Sequence, residues 1–239
     1  MEYKYTGIVL GKYDVGETDR IYVIYTLEQG KIRTLAKGVR KMQARLAGQL
    51  ENFNLVDVLI ARNKGMGKIK SAIAEKNFSN IKNELKLLEK VFEVFRIAGR
   101  LIDDEQKDED IFYLFLRYLN LLDKIQTEDD PLFFRVASQG FLYQFFSLTG
   151  YGIEVGRCAL CQEKIAPGGN FFSARHGGIV CAECGQKVAE KIQVSDSAIK
   201  AMRIFSSSSL ESLAKLKIEK EKIIELEKIS SLFHQWISG

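Results

Sequence analysis

The chain has 239 residues, of which 46% are hydrophobic and 28% are charged, as is ordinary for a globular protein with one large domain or two modest ones. No stretch approaches eighteen consecutive apolar residues, and no apolar run follows a basic start at the N-terminus. The sequence therefore predicts neither a membrane span nor a signal peptide. We expect a cytoplasmic protein with reduced cysteines.

Positive charge is concentrated in the first third of the chain. Residues 1–80 hold fourteen Lys and Arg against eight Asp and Glu, whereas residues 81–239 hold twenty-one against twenty-three. A basic region joined to a mildly acidic body indicates an anionic partner. Charge alone does not identify that partner, because many basic surfaces are only solvated.

The first 80 residues read as short strands. Apolar or alternating runs occur at Ile8–Leu10, Ile21–Leu27, Ile32–Ala36, Phe53–Ile60 and Ile69–Ala74. Turn-forming residues separate them, notably at 28–31 and 63–68. Both faces of the second run are apolar or amphipathic, as expected when a sheet closes on itself. The pattern predicts a small closed barrel of the OB kind, over residues 1–80.

From about residue 80 the apolar period becomes helical. Helices are predicted over 85–102, over 111–125, from the Asp130–Pro131 start to about 148, from the Ser195 cap, and over 223–236. The acidic segment, residues 103–110, is expected to be a solvated loop that supplies the next N-cap. The predicted fold class is α+β, with a helical domain over 81–239 that contains an insertion at 155–186.

All four cysteines lie in that insertion. Cys158 and Cys161 form one C-x2-C pair, nineteen residues separate it from the second pair, and Cys181 and Cys184 form that second pair. Turn sequences at 167–169 and 176–178 flank two short predicted strands, 170–173 and 179–180. This spacing predicts a zinc ribbon with four thiolate ligands and one structural Zn²⁺. Two disulfides or a pair of redox motifs are the alternatives.

No motif for catalysis is apparent. Gly65, Gly67 and Lys68 have the wrong spacing for a phosphate-binding loop. The sequence has only two histidines, His176 and His234, so it offers few candidates for the base of a catalytic triad. Four cysteines would close the coordination shell of a zinc ion, which leaves no open position for Lewis-acid chemistry. We expect a protein that is not an enzyme.

Basic residues form two groups in the barrel region. Fifteen positions from Lys31 contain no acidic residue, and a second group surrounds the 63–68 turn. The candidate nucleic-acid-binding residues are Arg33, Lys37, Arg40, Lys41, Arg45, Lys64, Lys68 and Lys70. Tyr3, Tyr5, Tyr13 and Tyr22 are possible stacking partners for bases, although strand tyrosines usually pack into cores.

Taken together, the chain resembles the RecO family of bacterial recombination mediators and DNA-repair proteins over essentially its full length. The resemblance is carried by Gly16–Arg20 leading into a strand, by Gly30, by Lys37–Arg40, and by the four-cysteine ribbon after Thr149–Tyr151. It implies an N-terminal OB domain and a helical domain with a zinc-binding insertion. It also puts Lys37 and Arg40 forward as DNA contacts, with Lys41 and Arg45 beside them. Acidic residues of the first motif are expected to hold a loop by capping and ion pairing.

The resemblance further implies a non-catalytic role at the nucleoid. RecO-like proteins bind single- and double-stranded DNA and anneal complementary strands. They work with RecR, and in some species RecF, to load RecA onto DNA coated by single-strand-binding protein. Two other interpretations stay open: a protein-interaction scaffold, and an RNA-binding translation-associated factor, since zinc ribbons and OB barrels both occur there. No membrane partner is expected.

Overall fold

The computed structural model describes residues 1–41, 45–124, 132–213 and 216–239. Two compact units divide the chain, Met1–Lys124 and Ile125–Gly239. The predicted domain boundary at residues 80 and 81 falls within the first unit and stays a prediction. Among the described residues, no helix combines the length and apolar character that crossing a bilayer requires.

A closed five-stranded barrel forms the first part of the Met1–Lys124 unit. Its elements are β1 (Glu2–Val15), β2 (Asp19–Thr26), β3 (Gly30–Ala36), α1 (Leu46–Gln49), β4 (Leu55–Ala61) and β5 (Gly67–Lys76). The strand order is β1-β2-β3-β5-β4, with β1 also paired to β4. Every pairing is antiparallel except that of β3 with β5. The predicted closed barrel is confirmed.

Alternating side chains fill the barrel. Val56, Val58 and Ile60 point inward from β4 at every second position, and Tyr22 and Ile24 do the same from β2. The register of β1 shifts between residues 9 and 11, so a single long strand pairs first with β4 and then with β2. Burial of these apolar side chains stabilises the barrel by about 1.5–3 kcal/mol each.

Three helices follow the barrel in the same unit: α2 (Ser79–Asn83), α3 (Leu85–Leu101) and α4 (Glu109–Leu122). Helix α4 begins two residues before the predicted Ile111, and the acidic segment supplies its N-cap as predicted: the Asp108 carboxylate accepts a hydrogen bond from the Ile111 amide at 3.0 Å. The Tyr25 hydroxyl of β2 donates to the Asp108 carbonyl oxygen at 3.1 Å, and its ring lies 5.6 Å from that of Phe115. These helices therefore pack on the outer face of the barrel. The predicted helix end at Ile125 lies outside the described residues.

Helices and a small sheet form the second unit. They are α5 (Phe133–Leu148), β6 (Phe171–Ser173), β7 (Gly178–Val180), α6 (Ala182–Gly185), β8 (Ile192–Gln193), α7 (Asp196–Ser207), α8 (Leu210–Leu213) and α9 (Lys220–Ile237). Helix α5 is buried on several sides, as its sequence predicts. Ser195 caps α7 by accepting from the Ala198 amide at 3.2 Å. The predicted start of α5 at Asp130–Pro131 lies outside the described residues.

The sheet of the second unit has the order β7-β6-β8. Strands β6 and β7 agree with the predicted ribbon strands, whereas β8 was not predicted. Phe172 of β6 is buried, and its ring centroid lies 6.2 Å from that of Phe233 in α9. This aromatic contact attaches the ribbon to the last helix of its own unit.

Candidate nucleic-acid interface and metal site

The four cysteine sulfurs converge, all lying within 4.8 Å of one another. Cys158 and Cys161 come from the turn before β6, Cys181 directly follows β7, and Cys184 lies in α6. All four are free thiols, and the Cys161 and Cys181 sulfurs are 3.9 Å apart. A disulfide requires about 2.05 Å between the sulfurs, whereas tetrahedral thiolates at about 2.3 Å from a metal stand roughly 3.8 Å apart. The cluster can therefore hold a metal ion.

Backbone geometry favours ionisation of Cys158, the first of the four cysteines. The Cys158 amide donates to the Glu163 carbonyl oxygen at 2.8 Å, and the next amide, of Ala159, donates to Ile179 of β7 at 2.8 Å. These bonds fix the turn against the ribbon hairpin. Burial opposes ionisation of Cys158, but the amides of Cys161, Cys181 and Leu160 point at its sulfur and lower its pKa to about 6.

His176 stands apart from this cluster. Its Nδ1 atom lies 3.0 Å from the hydroxyl of Ser173, which also donates to the Glu190 carbonyl oxygen at 3.1 Å. The imidazole thus takes part in the hydrogen bonding of the ribbon hairpin, as a turn residue would. Within the described residues, the group of side chains that could hold a metal ion consists of the four cysteines.

Strand pairing brings the β5 members of the second basic group beside the end of β3, where the first group continues. Arg20 at the start of β2 pairs with Ala36 at the end of β3, and Leu35 pairs with Lys68 at the start of β5. Adjacent strands lie about 4.8 Å apart. The loop that begins at Lys37 therefore borders the first residues of β5. We call this region the loop end: residues 16–18, 37–41 and 68–70.

Most candidate cations at the loop end are open to solvent. Lys37 and Lys41 are exposed and form no ion pair within the described ranges. Arg40 is partly engaged, because its Nε lies 3.4 Å from Asp14 and its Nη1 donates to the Gly16 carbonyl oxygen at 3.3 Å. Arg45 is exposed immediately before α1.

The second basic group lines a groove. A cavity of about 510 Å³ lies beside the β4–β5 loop. Its lining residues are Met1, Glu2, Ala61, Arg62, Asn63, Lys64, Met66, Lys68 and Lys70. Four of these side chains are cationic and one is acidic, so the groove favours an anion. Lys64, Lys68 and Lys70 are exposed.

The β2–β3 hairpin differs, because the acidic segment covers it. Lys31 is 6% exposed, and its ammonium donates to the Gly99 and Ile102 carbonyl oxygens and lies 3.1 Å from Asp104. Lys31 thereby caps the C-terminal end of α3. The Glu105 amide donates to the Lys31 carbonyl oxygen at 2.8 Å. Sequence alone assigned Lys31 to the basic cluster, and the structure gives it this internal role.

The same segment engages two further arginines. Arg33 lies 3.1 Å from Asp104 through its Nε, with both side chains about half exposed. Arg62 lies 2.5 Å from Glu105 through its Nη2. The expectation that residues 103–110 form a solvated loop is thus only partly met: the N-cap is present, but the segment also packs on the barrel. The signal available in the sequence was charge: residues 103–110 are acidic and the barrel strands are basic, which favours contact between them.

Burial separates the tyrosines of the barrel. Tyr22 is fully buried and Tyr5 is 7% exposed, so these two are core residues. Tyr3 and Tyr13 are 40% and 43% exposed. Only exposed rings can stack on bases, so Tyr3 and Tyr13 remain candidates among the tyrosines weighed from the sequence.

The second unit contains a cavity of about 480 Å³ between the ribbon and α9. Its lining includes the apolar side chains of Phe172, Ile192 and Trp236, and its charged side chains are two cations, Arg175 and Lys191, and one acid, Glu190. Trp236 is 50% exposed. An apolar floor with a cationic rim suits a ligand that has both an apolar group and a negative charge.

The chain combines a closed OB-type barrel that has a cationic loop end with a helical unit that carries a four-cysteine ribbon. This combination defines the class of protein to which the chain belongs. Two family profiles match the chain in succession. That described as "Recombination protein O N terminal" matches residues 1–78, and that described as "Recombination protein O C terminal" matches residues 94–238. The chain belongs to the RecO family of DNA repair proteins.

Curated relatives agree with this assignment. "DNA repair protein RecO" of Dehalococcoides mccartyi strain 195 is 30% identical over 226 residues, 95% of this chain and 87% of the relative. The protein of that name from Synechococcus sp. JA-2-3B'a(2-13) is 31% identical, over 87% of this chain and 75% of the relative. That from Halalkalibacterium halodurans C-125 is 24% identical, over 100% of this chain and 91% of the relative.

Proposed function

We propose that this protein is a non-catalytic recombination mediator that binds single- and double-stranded DNA at the loop end of its barrel. The observation that carries the proposal is the register of β3 with β5, which joins two basic groups separated in sequence. The cations of Lys37, Lys41 and Lys68 are exposed there. OB barrels bind oligonucleotides through the loops between strands 1 and 2 and between strands 4 and 5. The first of these loops belongs to the loop end, and the second leads directly into Lys68 of β5.

Annealing follows from the same surface. Two complementary strands repel each other through their phosphates, and a cationic surface reduces that repulsion while releasing counterions. Base pairing supplies the free energy, so the protein needs no nucleotide hydrolysis. In the cell, the protein would act with RecR to load RecA on DNA coated by single-strand-binding protein, with RecF where the species uses it. The family relationship supports these partners.

The test is a binding measurement with labelled single-stranded DNA, duplex DNA and structured RNA at several salt concentrations. We expect DNA affinity to fall steeply with salt, since each phosphate contact contributes about 0.7 to the logarithmic slope for single strands. Charge reversal of Lys37 and Lys41 together should weaken DNA binding at least tenfold while the fold is kept. Charge reversal of Lys220 and Lys228 together, two exposed lysines of α9, is the matched control.

Three outcomes would count against the proposal. Affinity that does not change with salt would remove the phosphate interface. Stronger binding of structured RNA than of either DNA would favour the translation-associated alternative. Equal DNA binding by the Lys37/Lys41 reversal and the Lys220/Lys228 reversal would place the site elsewhere.

We further propose that the four cysteines hold one structural Zn²⁺. Four thiolates are soft ligands that suit zinc in a closed tetrahedral site. Cys158→Ser should therefore lower the thermal stability of the second unit and the zinc content, and affect DNA binding only secondarily. Elemental analysis and thermal melts measure both effects. A folded, zinc-free wild-type protein with unchanged melting would contradict this assignment.

A second candidate function belongs to the cavity beside α9. We propose that it receives the acidic tail of single-strand-binding protein, with an apolar side chain on Trp236 and carboxylates near Arg175 and Lys191. Trp236 is the sole tryptophan, so its fluorescence reports occupancy directly. A tail peptide should change that fluorescence, and Arg175→Glu should abolish the change. A peptide that binds wild-type protein and Arg175→Glu equally tightly would overturn this proposal.

A further inference from the structure

The loop of residues 37–41 carries three candidate DNA contacts but belongs to no helix or strand. Within the loop, the described bonds include one from the Lys41 amide to the Gly38 carbonyl oxygen at 3.1 Å. Binding through a loop that must first be ordered costs affinity, because the ordering entropy opposes association. The position of Lys37, Arg40 and Lys41 therefore depends on what holds this loop.

Asp19 holds it. One carboxylate oxygen of Asp19 accepts a hydrogen bond from the Gly38 amide at 2.7 Å and another from the Thr18 hydroxyl at 3.0 Å. The Arg40 amide donates to the Thr18 carbonyl oxygen at 3.0 Å. Gly38 has a φ of +63°, a conformation that glycine adopts without strain. Asp19 thus ties the loop after β3 to the turn before β2.

Electrostatics alone would give Asp19 the opposite effect. A carboxylate at a phosphate-binding surface repels the ligand, so its removal should strengthen DNA binding. Glu17, two residues earlier, is exposed, and its carboxylate forms neither an ion pair nor a hydrogen bond in the described part of the chain. Substitution of Glu17 by alanine therefore measures the effect of losing one negative charge near this surface, without the loss of a hydrogen bond.

We propose that Asp19 is a positioning residue for DNA binding: its bond to the Gly38 amide orders the loop of residues 37–41, and this gain in affinity exceeds the repulsion of its charge. The inference rests on the proposed function, because it concerns the same surface. It predicts that removing the hydrogen-bond acceptor at position 19 weakens DNA binding, against the sign expected from the loss of charge.

The experiment measures the affinity of four proteins for a single-stranded oligonucleotide: wild type, Asp19→Ala, Asp19→Asn and Glu17→Ala. Asparagine keeps an oxygen that can accept from Gly38 and loses the charge. Asp19→Asn and Glu17→Ala should bind as tightly as wild type or up to about twofold more tightly. Asp19→Ala should bind about fivefold less tightly, because it loses a charge-assisted hydrogen bond. Hydrogen exchange of the Gly38 amide should be faster in Asp19→Ala than in Asp19→Asn.

Equal affinity of Asp19→Ala and Asp19→Asn would overturn the inference. If Asp19→Ala does not fold, Asp19→Glu replaces it: the charge is unchanged and the acceptor is displaced, so weaker binding supports positioning and unchanged binding refutes it. Lys37→Glu separates the two proposals. Unchanged binding by Lys37→Glu removes the DNA site itself, whereas weaker binding by Lys37→Glu with equal Asp19 variants removes only the role of Asp19.

Discussion

Two sides of the same barrel use their cations in different ways. At the β2–β3 hairpin, Lys31 is buried and Arg33 is paired, both with the acidic segment. At the loop end, Lys37 and Lys68 extend into solvent. Lys31 and Lys37 are only six residues apart in an acid-free stretch, yet one stabilises the fold and the other is available to a ligand. The basic cluster of this sequence therefore contains two populations of cations, which only the packing of distant segments separates.

The largest expected effect lies on the covered side. Gly30 has a φ of +71°, and a Cβ atom there would lie 1.9 Å from the Gln106 carbonyl oxygen. Gly30→Ala should therefore lower the free energy of unfolding by about 3 kcal/mol or more. Gly65→Ala is the control, since Gly65 has a φ of +67° but open space around its Cβ position, and should cost only about 1 kcal/mol.

Urea unfolding, monitored by hydrogen exchange of the strand amides, measures this difference in unfolding free energy between the two variants in the first unit. Tryptophan fluorescence is unsuitable, because Trp236 lies in the second unit. Equal losses for Gly30→Ala and Gly65→Ala would mean that the acidic segment does not pack closely on the hairpin.

The next effect separates the two lysines. Lys31→Met removes the cation that caps α3 and should cost about 2–4 kcal/mol of stability, because buried acceptors lose their donor. Lys37→Met should change stability by less than about 0.5 kcal/mol and weaken DNA binding several-fold. Thermal melts measure the change in stability of each variant, and DNA titrations measure the change in its affinity. If Lys37→Met were the more destabilising change, the division into two populations would be wrong.

A smaller effect concerns the boundary between the two sides. Asp104→Asn should strengthen DNA binding about two- to fivefold, because it releases Arg33 for phosphate. Asp103→Asn removes the same charge from an exposed neighbour that has no ion-pair partner in the described residues. It should have less effect in the same titration. Identical gains for the two variants would show that only the overall charge matters.

The smallest effect is a pH dependence. The pKa of Asp19 lies below its usual value because Gly38 donates to it, and that of Asp14 is lowered by its hydrogen bond from Arg20. Groups with a lowered folded pKa stabilise the protein above the unfolded value of 3.8 and lose that contribution as pH falls through the folded pKa. Exchange of the Gly38 amide, corrected for its intrinsic rate, should rise below about pH 4 relative to the Glu105 amide. Parallel behaviour of the two amides would contradict this.

Local patterns in the sequence predicted most elements of the fold. Alternation located the strands, helical periodicity located α3, α7 and α9, and the C-x2-C spacing located the ribbon. Strand β8 was missed because two residues, Ile192 and Gln193, are too short to show a period. The convergence of the basic groups was also beyond the sequence, since it depends on the parallel pairing of β3 with β5, which no local pattern encodes.

The candidate site was predicted by residue type but not by role. Lys31 and Lys37 have the same chemistry, and the difference between them arises from α3 and the acidic segment about seventy residues later. The buried state of Tyr22 likewise follows from closure of the barrel. Sequence reasoning therefore finds which residues can bind an anion, whereas tertiary contacts decide which of them are free to do so.

The pairing of β3 with β5 also has a consequence for the order of events during synthesis. A nascent chain that has emerged only to residue 50 carries the first basic group but cannot close the barrel, because β5 begins at Gly67. The complete cationic surface arises only when the fifth strand joins the third. Ribosome-bound fragments that end before β5 should therefore hold DNA only weakly, and full affinity should appear together with the folded barrel.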